Sequence, residues 1–151
     1  MVHENRGLND HIRDVARRAA LEGFVALAPD FLSPNGGTPS DPDAARNMFE
    51  GLSRDSVIAS GRAAVAYLKG HAASNGKVGA MGFCWGGGAV NQIAINEPDL
   101  LAAAPFYGPV PDAAKIKAKM MLHYAGSDNF VNPGLPRCVG QGERQLRRLH
   151  V

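Results

Sequence analysis

The segment Gly82-Phe83-Cys84-Trp85-Gly86 is where this sequence is best equipped for chemistry. It follows the apolar run 77–81 directly and precedes a helical pattern that extends to about residue 96. A nucleophile centred in G-x-nucleophile-x-G sits on a sharp strand-to-helix turn, in a strained backbone conformation. The flanking glycines remove side chains that would collide with neighbouring elements there. The helix behind such a turn aims its first amides and its positive dipole end at the sulfur, an arrangement that favours thiolate. The backbone N–H of Trp85 is then a candidate oxyanion donor. Other readings exist. Gly86-Gly87-Gly88 could cradle a phosphate, but no Gly-Lys-Ser/Thr follows and the G-x-G-x-x-G spacing is absent. Cys84 could be a buried structural cysteine, and a Cys84–Cys138 disulfide is disfavoured in a reducing compartment.

A cysteine nucleophile needs a base and a carboxylate to orient that base. Asp128 follows the apolar run 120–125 through Gly126-Ser127. If that run is a strand, Asp128 lies at the same carboxyl edge as Cys84, where open α/β sheets build their sites. A turn or helix-cap role is equally open for it. His123 falls inside the same run, while His11 and His71 fall in or beside helical stretches. In the chain order nucleophile, acid, base, only His150 follows the acid, in a stretch without a strand or helix pattern.

The elements that must position these residues alternate along the chain. Asn9 or Asp10 caps a helix over 11–22 that Gly23 stops. The wholly apolar run 24–28 reads as a strand buried on both faces. A turn-rich loop covers 33–40, and Asp41-Pro42 opens a helix to about residue 49. A longer helix spans 54–69, a strand 77–81, and a helix runs from the glycine cluster to 96. A strand over 101–106, weakened by Pro105, a short helix over 112–117 and a strand over 120–125 complete the pattern. This rhythm predicts the α/β class, a mostly parallel sheet flanked by helices and joined by right-handed crossovers.

Composition sets outer bounds on function. The chain has 151 residues, 45% hydrophobic and 20% charged, with a formal net charge of +2. It is too apolar for a disordered chain and carries no strong field for nucleic acid or a membrane surface. No apolar run approaches the ~20 residues that span a bilayer, and residues 1–7 do not read as a secretory signal. Two cysteines are too few for a disulfide scaffold, so free thiols in the cytoplasm are expected. No cofactor and no metal is expected.

Six segments together resemble the dienelactone hydrolase (carboxymethylenebutenolidase) family: His3-Glu4-Asn5-Arg6-Gly7-Leu8-Asn9, Ala28-Pro29-Asp30, Ser74-Asn75-Gly76-Lys77-Val78-Gly79, Gly82-Phe83-Cys84-Trp85-Gly86-Gly87, Phe106-Tyr107-Gly108 and Gly126-Ser127-Asp128. The resemblance covers about residues 2–137 and implies an α/β-hydrolase fold. It implies Cys84 as nucleophile, Asp128 as triad acid, and Glu4 as the family's additional glutamate, which contacts the resting cysteine and shifts when substrate binds. The amides of Asn5 and Trp85 would form the oxyanion hole. The implied substrate is a small lactone or ester. Family substrates carry a carboxylate held by arginines, for which Arg46, Arg54 and Arg62 are candidates. A broader esterase or thioesterase role stays open.

The family's histidine lies in a Gly-His-Gly/Ser-Phe-type motif beyond the acid, and no such motif occurs here. The expectation is therefore a partial hydrolase domain over 1–137 and an unmatched tail over 138–151. Within the domain, Met1-Val2 would be all that remains of the strand between 24–28 and 77–81. The alternatives are a non-catalytic fragment or pseudoenzyme lacking the triad histidine, and a redox protein pairing Cys84 with Cys138.

Overall fold

A computed structural model describes residues 1–109, 111–125, 127–129 and 131. The helices start where short polar side chains satisfy their first free amides. Helix α1 (Asp10–Leu21) begins with the Asn9 carboxamide accepting from the amide of Ile12, and Ile12 is fully buried. Helix α2 (Pro42–Glu50) has the Asp41 carboxylate as its cap and Pro42 as its first residue. Helix α3 (Arg54–Gly70) has the Ser53 hydroxyl accepting from the amide of Ser56.

Strand β1 (Gly79–Phe83) feeds helix α4 (Trp85–Asn96), which returns the chain to strand β2 (Ala102–Phe106). β1 pairs with β2 in parallel, Gly79 opposite Ala102 and Phe83 opposite Phe106. Strand β3 (Lys119–Met120) pairs in parallel with the other edge of β2, giving the order β1-β2-β3. A parallel sheet with a helical crossover is the predicted class.

Three predicted strands need correction. β1 lies two residues later than 77–81. β3 is only two residues long, followed by an isolated bridge between Phe106 and His123. The cause is Pro105. Its carbonyl accepts from the His123 amide at 3.1 Å, so it faces β3, and in a parallel ladder the same residue's N–H faces that neighbour too. Proline has no N–H to give, and the regular ladder stops. The run 24–28 forms no strand, and Phe24 is 69% exposed. On the β1 side its neighbour is Met1-Val2. The Met1 ammonium donates to the Leu27 carbonyl at 2.8 Å and the Val2 amide to the Met81 carbonyl at 2.7 Å.

The core lies between α3, α4 and the sheet, built on Val57, Val65, Val78, Val90, Ile93 and Leu100. An apolar cavity lined by Val2, Leu27, Phe31, Val65, Val78 and Ile93 opens beneath α3. Ile93 is buried at the junction of α3 and α4. Replacing it with alanine is expected to lower stability by about 2–5 kcal/mol, measured as the fall in urea midpoint at constant slope.

Candidate functional site

Cys84 occupies the turn between β1 and α4 at φ 54° and ψ −117°, a left-handed conformation that L residues rarely adopt. Its thiol is free and exposed. Two backbone bonds hold the turn: the Cys84 amide donates to the Phe106 carbonyl at 3.1 Å, and the Gly88 amide to the Cys84 carbonyl at 3.2 Å. The first amides of α4, beginning with Trp85, lie at the helix N-terminus immediately after the cysteine. This is the predicted elbow.

Close packing around the elbow requires glycine. A Cβ on Gly86 would collide with the carbonyl oxygens of Val2 and His3, and one on Gly82 would press on the Gly86 carbonyl and the Val2 side chain. The backbone of residues 2–3 therefore rests directly on the elbow. The chain continues through Glu4 and Asn5 into a turn closed by the Gly7 amide donating to the Glu4 carbonyl at 3.3 Å. Both residues are partly buried.

His3 locks this turn in place, a role the sequence reading did not assign. Its imidazole is fully buried, stacked on Trp85 at 5.7 Å and edge-on to Phe31 and Phe49. The Phe31 amide donates to Nε2 at 3.0 Å, so Nε2 carries no proton and Nδ1–H donates to the Glu4 carbonyl at 2.9 Å. Burial pushes its pKa below the ordinary histidine value, against the smaller opposing effects of the Glu4 carbonyl and of Asp30 3.7 Å away. Neutral His3 is thus a structural hub beneath the site, with both ring nitrogens committed.

Tyr107, part of the Phe106-Tyr107-Gly108 segment, is likewise given no role by the sequence. It follows β2 at φ 41°, and Cys84 and Tyr107 are the non-glycine residues with positive φ among those described. Its amide donates to the His123 carbonyl at 2.8 Å. Burial first, then the charges of Glu4 and of Cys84, raise the pKa of its hydroxyl. Glu4, Cys84 and Tyr107 are therefore electrostatic neighbours, contributed by the N-terminal turn, the elbow and the end of β2.

Asp128 lies past β3 in a turn, where its Oδ1 accepts from the Val131 amide at 2.9 Å and its own amide donates to the Ala125 carbonyl at 3.3 Å. Of the histidines, His123 stacks on Phe106 at 4.0 Å, His71 accepts from the Ala73 amide, and His11 is exposed on α1. His150 and Cys138 lie outside the described residues. Arg62 is engaged with the Asn96 carbonyl at 2.8 Å and with Glu97, while Arg46 and Arg54 are exposed. Among the described residues no group of histidine, cysteine and carboxylate side chains could hold a metal ion, and no helix is long and apolar enough to cross a membrane.

A model of the dienelactone hydrolase family matches residues 1–140, so the chain belongs to that family. A protein of Methylorubrum extorquens, named as a candidate carboxymethylenebutenolidase, is 32% identical over 148 residues, covering 87% of this chain and 51% of its own length. Protein usf of Aquifex pyrophilus is 40% identical over 146 residues, covering 87% of this chain and 62% of its own. The solved structure described as m3DLH superposes with a TM-score of 0.80 at 29% identity, over 99% of this chain and 68% of that one. The chain spans about half the length of several of the curated relatives it matches.

The buried hub predicts a pH-dependent stability. A group whose pKa is lowered on folding stabilises the fold above its unfolded value, and that stability is lost as pH falls toward the folded value. For the Met1 amine, lowered by burial from 8.0 to about 6, the loss falls between those two values. For His3 it begins below 6.5. Denaturant midpoints followed from pH 8 to 5 should fall throughout in the wild type. In His3→Gln the decline between 8 and 6 should persist, while the additional loss below 6.5 should disappear.

Proposed function

We propose that this member of the dienelactone hydrolase family cleaves a lactone or ester bond through a covalent intermediate on Cys84. The observation that carries the reading is the exposed cysteine at φ 54° on the strand–helix turn, at the N-terminus of α4. A strained conformation of this kind costs of order 1–3 kcal/mol and persists where the surroundings over-determine it. Here it puts an exposed cysteine between the end of β1 and the first turn of α4.

In the proposed reaction the thiolate Sγ attacks the substrate carbonyl carbon and the carbonyl π electrons move to oxygen. The backbone amides of Trp85 and Asn5 stabilise that oxyanion. Collapse of the tetrahedral intermediate breaks the C–O bond, and the departing alkoxide takes up a proton. Water then attacks the thioester, releasing the carboxylic acid and the thiol. Asp128 has the role of the acid that orients a base, and Glu4 that of a carboxylate beside the resting thiol. A small lactone or ester is the substrate class; an acyl thioester is the nearest alternative. No nucleic acid or membrane takes part in this reading, and the free thiol suits the reducing cytoplasm.

One observation favours a second reading, a scaffold of the same fold without turnover. The described histidines that hydrogen-bond through their rings, His3 and His71, use them elsewhere. General acid–base help is worth about 10²–10⁴-fold. A site without a positioned base would acylate slowly and stall at the thioester.

The test uses an aryl ester or lactone with detection of the intermediate by intact mass. Cys84→Ala should abolish both hydrolysis and the acyl adduct. Hydrolysis at the wild-type rate in Cys84→Ala would remove Cys84 as the nucleophile. A stoichiometric adduct on wild type with no turnover would select the second reading.

A further inference from the structure

We propose that His3 is a positioning residue of this site: by holding the Glu4 carbonyl, its Nδ1–H turns the Asn5 amide of the same peptide unit toward the oxyanion formed at Cys84. The inference rests on the reading of Cys84 as nucleophile and deepens it, naming the group that aims one of the two oxyanion donors.

The geometry begins with a peptide plane. The carbonyl of Glu4 and the N–H of Asn5 belong to one planar unit, and no described peptide bond is cis. The two therefore point in opposite directions, and whatever fixes the carbonyl fixes the amide. Two donors fix it here, Nδ1–H of His3 at 2.9 Å and the Gly7 amide at 3.3 Å. The Phe31 amide donates to Nε2 at 3.0 Å, which leaves the neutral ring its proton on Nδ1. The imidazole has no room to turn: it is fully buried, stacked on Trp85 and edge-on to Phe31 and Phe49.

On the far side of that plane, the Asn5 amide meets no acceptor among the described residues. Asn5 is only partly buried, so its amide can be left for an acceptor that substrate brings. Two hydrogen bonds into the Glu4 carbonyl also polarise the peptide and make its N–H a stronger donor. Backbone contact sets where this turn lies relative to the elbow, because the Val2 and His3 carbonyls rest against Gly86, two residues past the cysteine. The other donor is the amide of Trp85 at the start of α4, and His3 stacks on that residue's ring. One buried side chain thus touches both segments that an oxyanion would bridge.

Two substitutions separate the hydrogen bond from the packing. His3→Asn puts an amide donor where Nδ1 stood and gives up the bond from Phe31. His3→Gln reaches the place of Nε2 and gives up the bond to Glu4. Both lose the ring. In the full chain, acylation by p-nitrophenyl acetate, which develops an oxyanion, is compared with alkylation by iodoacetamide, which does not, each read at Cys84 by peptide mass. Removing an oxyanion donor costs about 10²–10³-fold, so acylation in His3→Gln should slow by about tenfold or more while alkylation holds. His3→Asn should keep acylation within about threefold of wild type, because its donor to Glu4 remains. Equal losses of acylation in the two variants, or a loss that alkylation shares, overturn the proposal. A second measurement needs no variant. The Cys84 thiolate adds to the carbonyl carbon of a trifluoromethyl ketone and leaves the charge on oxygen, and the Asn5 amide proton should then move downfield in the NMR spectrum. An adduct at Cys84 that leaves the Asn5 resonance in place overturns this inference alone. No adduct at Cys84 overturns the nucleophile reading, and this inference with it.

Discussion

The site depends on a contact with no spare room: the carbonyls of Val2 and His3 against the α-carbon of Gly86. Interiors are packed to crystal-like density, so such a contact cannot be relaxed by a methyl group without moving one of its sides. One side here is the elbow that carries Cys84. The other is the segment of residues 1–3 that leads into Glu4 and Asn5. Their relative position is thus set by backbone against backbone, with no side-chain rotamer between them. The Val2 amide bonded to the Met81 carbonyl fixes the remaining freedom, the slide of this segment along β1.

His3 extends the same constraint outward. A buried imidazole is costly unless both nitrogens are satisfied, and here each is satisfied by a different segment, the 28–32 loop through Phe31 and the N-terminal turn through Glu4. Its flat face lies on Trp85, whose ring also meets those of Phe31 and Phe49. The aromatic cluster ties α2 to the first turn of α4. Protonating or removing His3 would therefore disturb the site without touching the thiol.

What was legible in the sequence follows from the range of the forces involved. Helix starts at Asn9, Asp41 and Ser53 are set by bonds two or three residues long, and the elbow is marked by glycines two residues to either side of the cysteine. Those are local facts, and local pattern finds them. The run 24–28 has the composition of a buried strand, yet a strand exists only through its neighbour, and what meets it is a bond from the Met1 amine to the Leu27 carbonyl rather than a paired strand. His3 was illegible for the same reason: its partners sit at 31, 49 and 85. Nothing near Tyr107 announces a positive φ, since the residues that usually adopt it are glycine, asparagine and aspartate.

Pro105 joins these strands of argument. It stands in the central strand of the sheet, where proline is ordinarily excluded because it costs a ladder bond. The bond it removes is on the β3 side, so β1 and β2 keep their full register up to Phe83 and Phe106 while β3 lets go after Met120. The carbonyls of Pro105 and Phe106 then serve different neighbours, His123 on one side and the Cys84 amide on the other. Just past this point the chain turns sharply through Tyr107. A regular ladder carried past Phe106 would hold residue 107 at strand dihedrals, with φ negative. Tyr107 takes the left-handed conformation while its amide still bonds the His123 carbonyl, so the corner forms where the pairing with β3, interrupted at the proline, comes to its end.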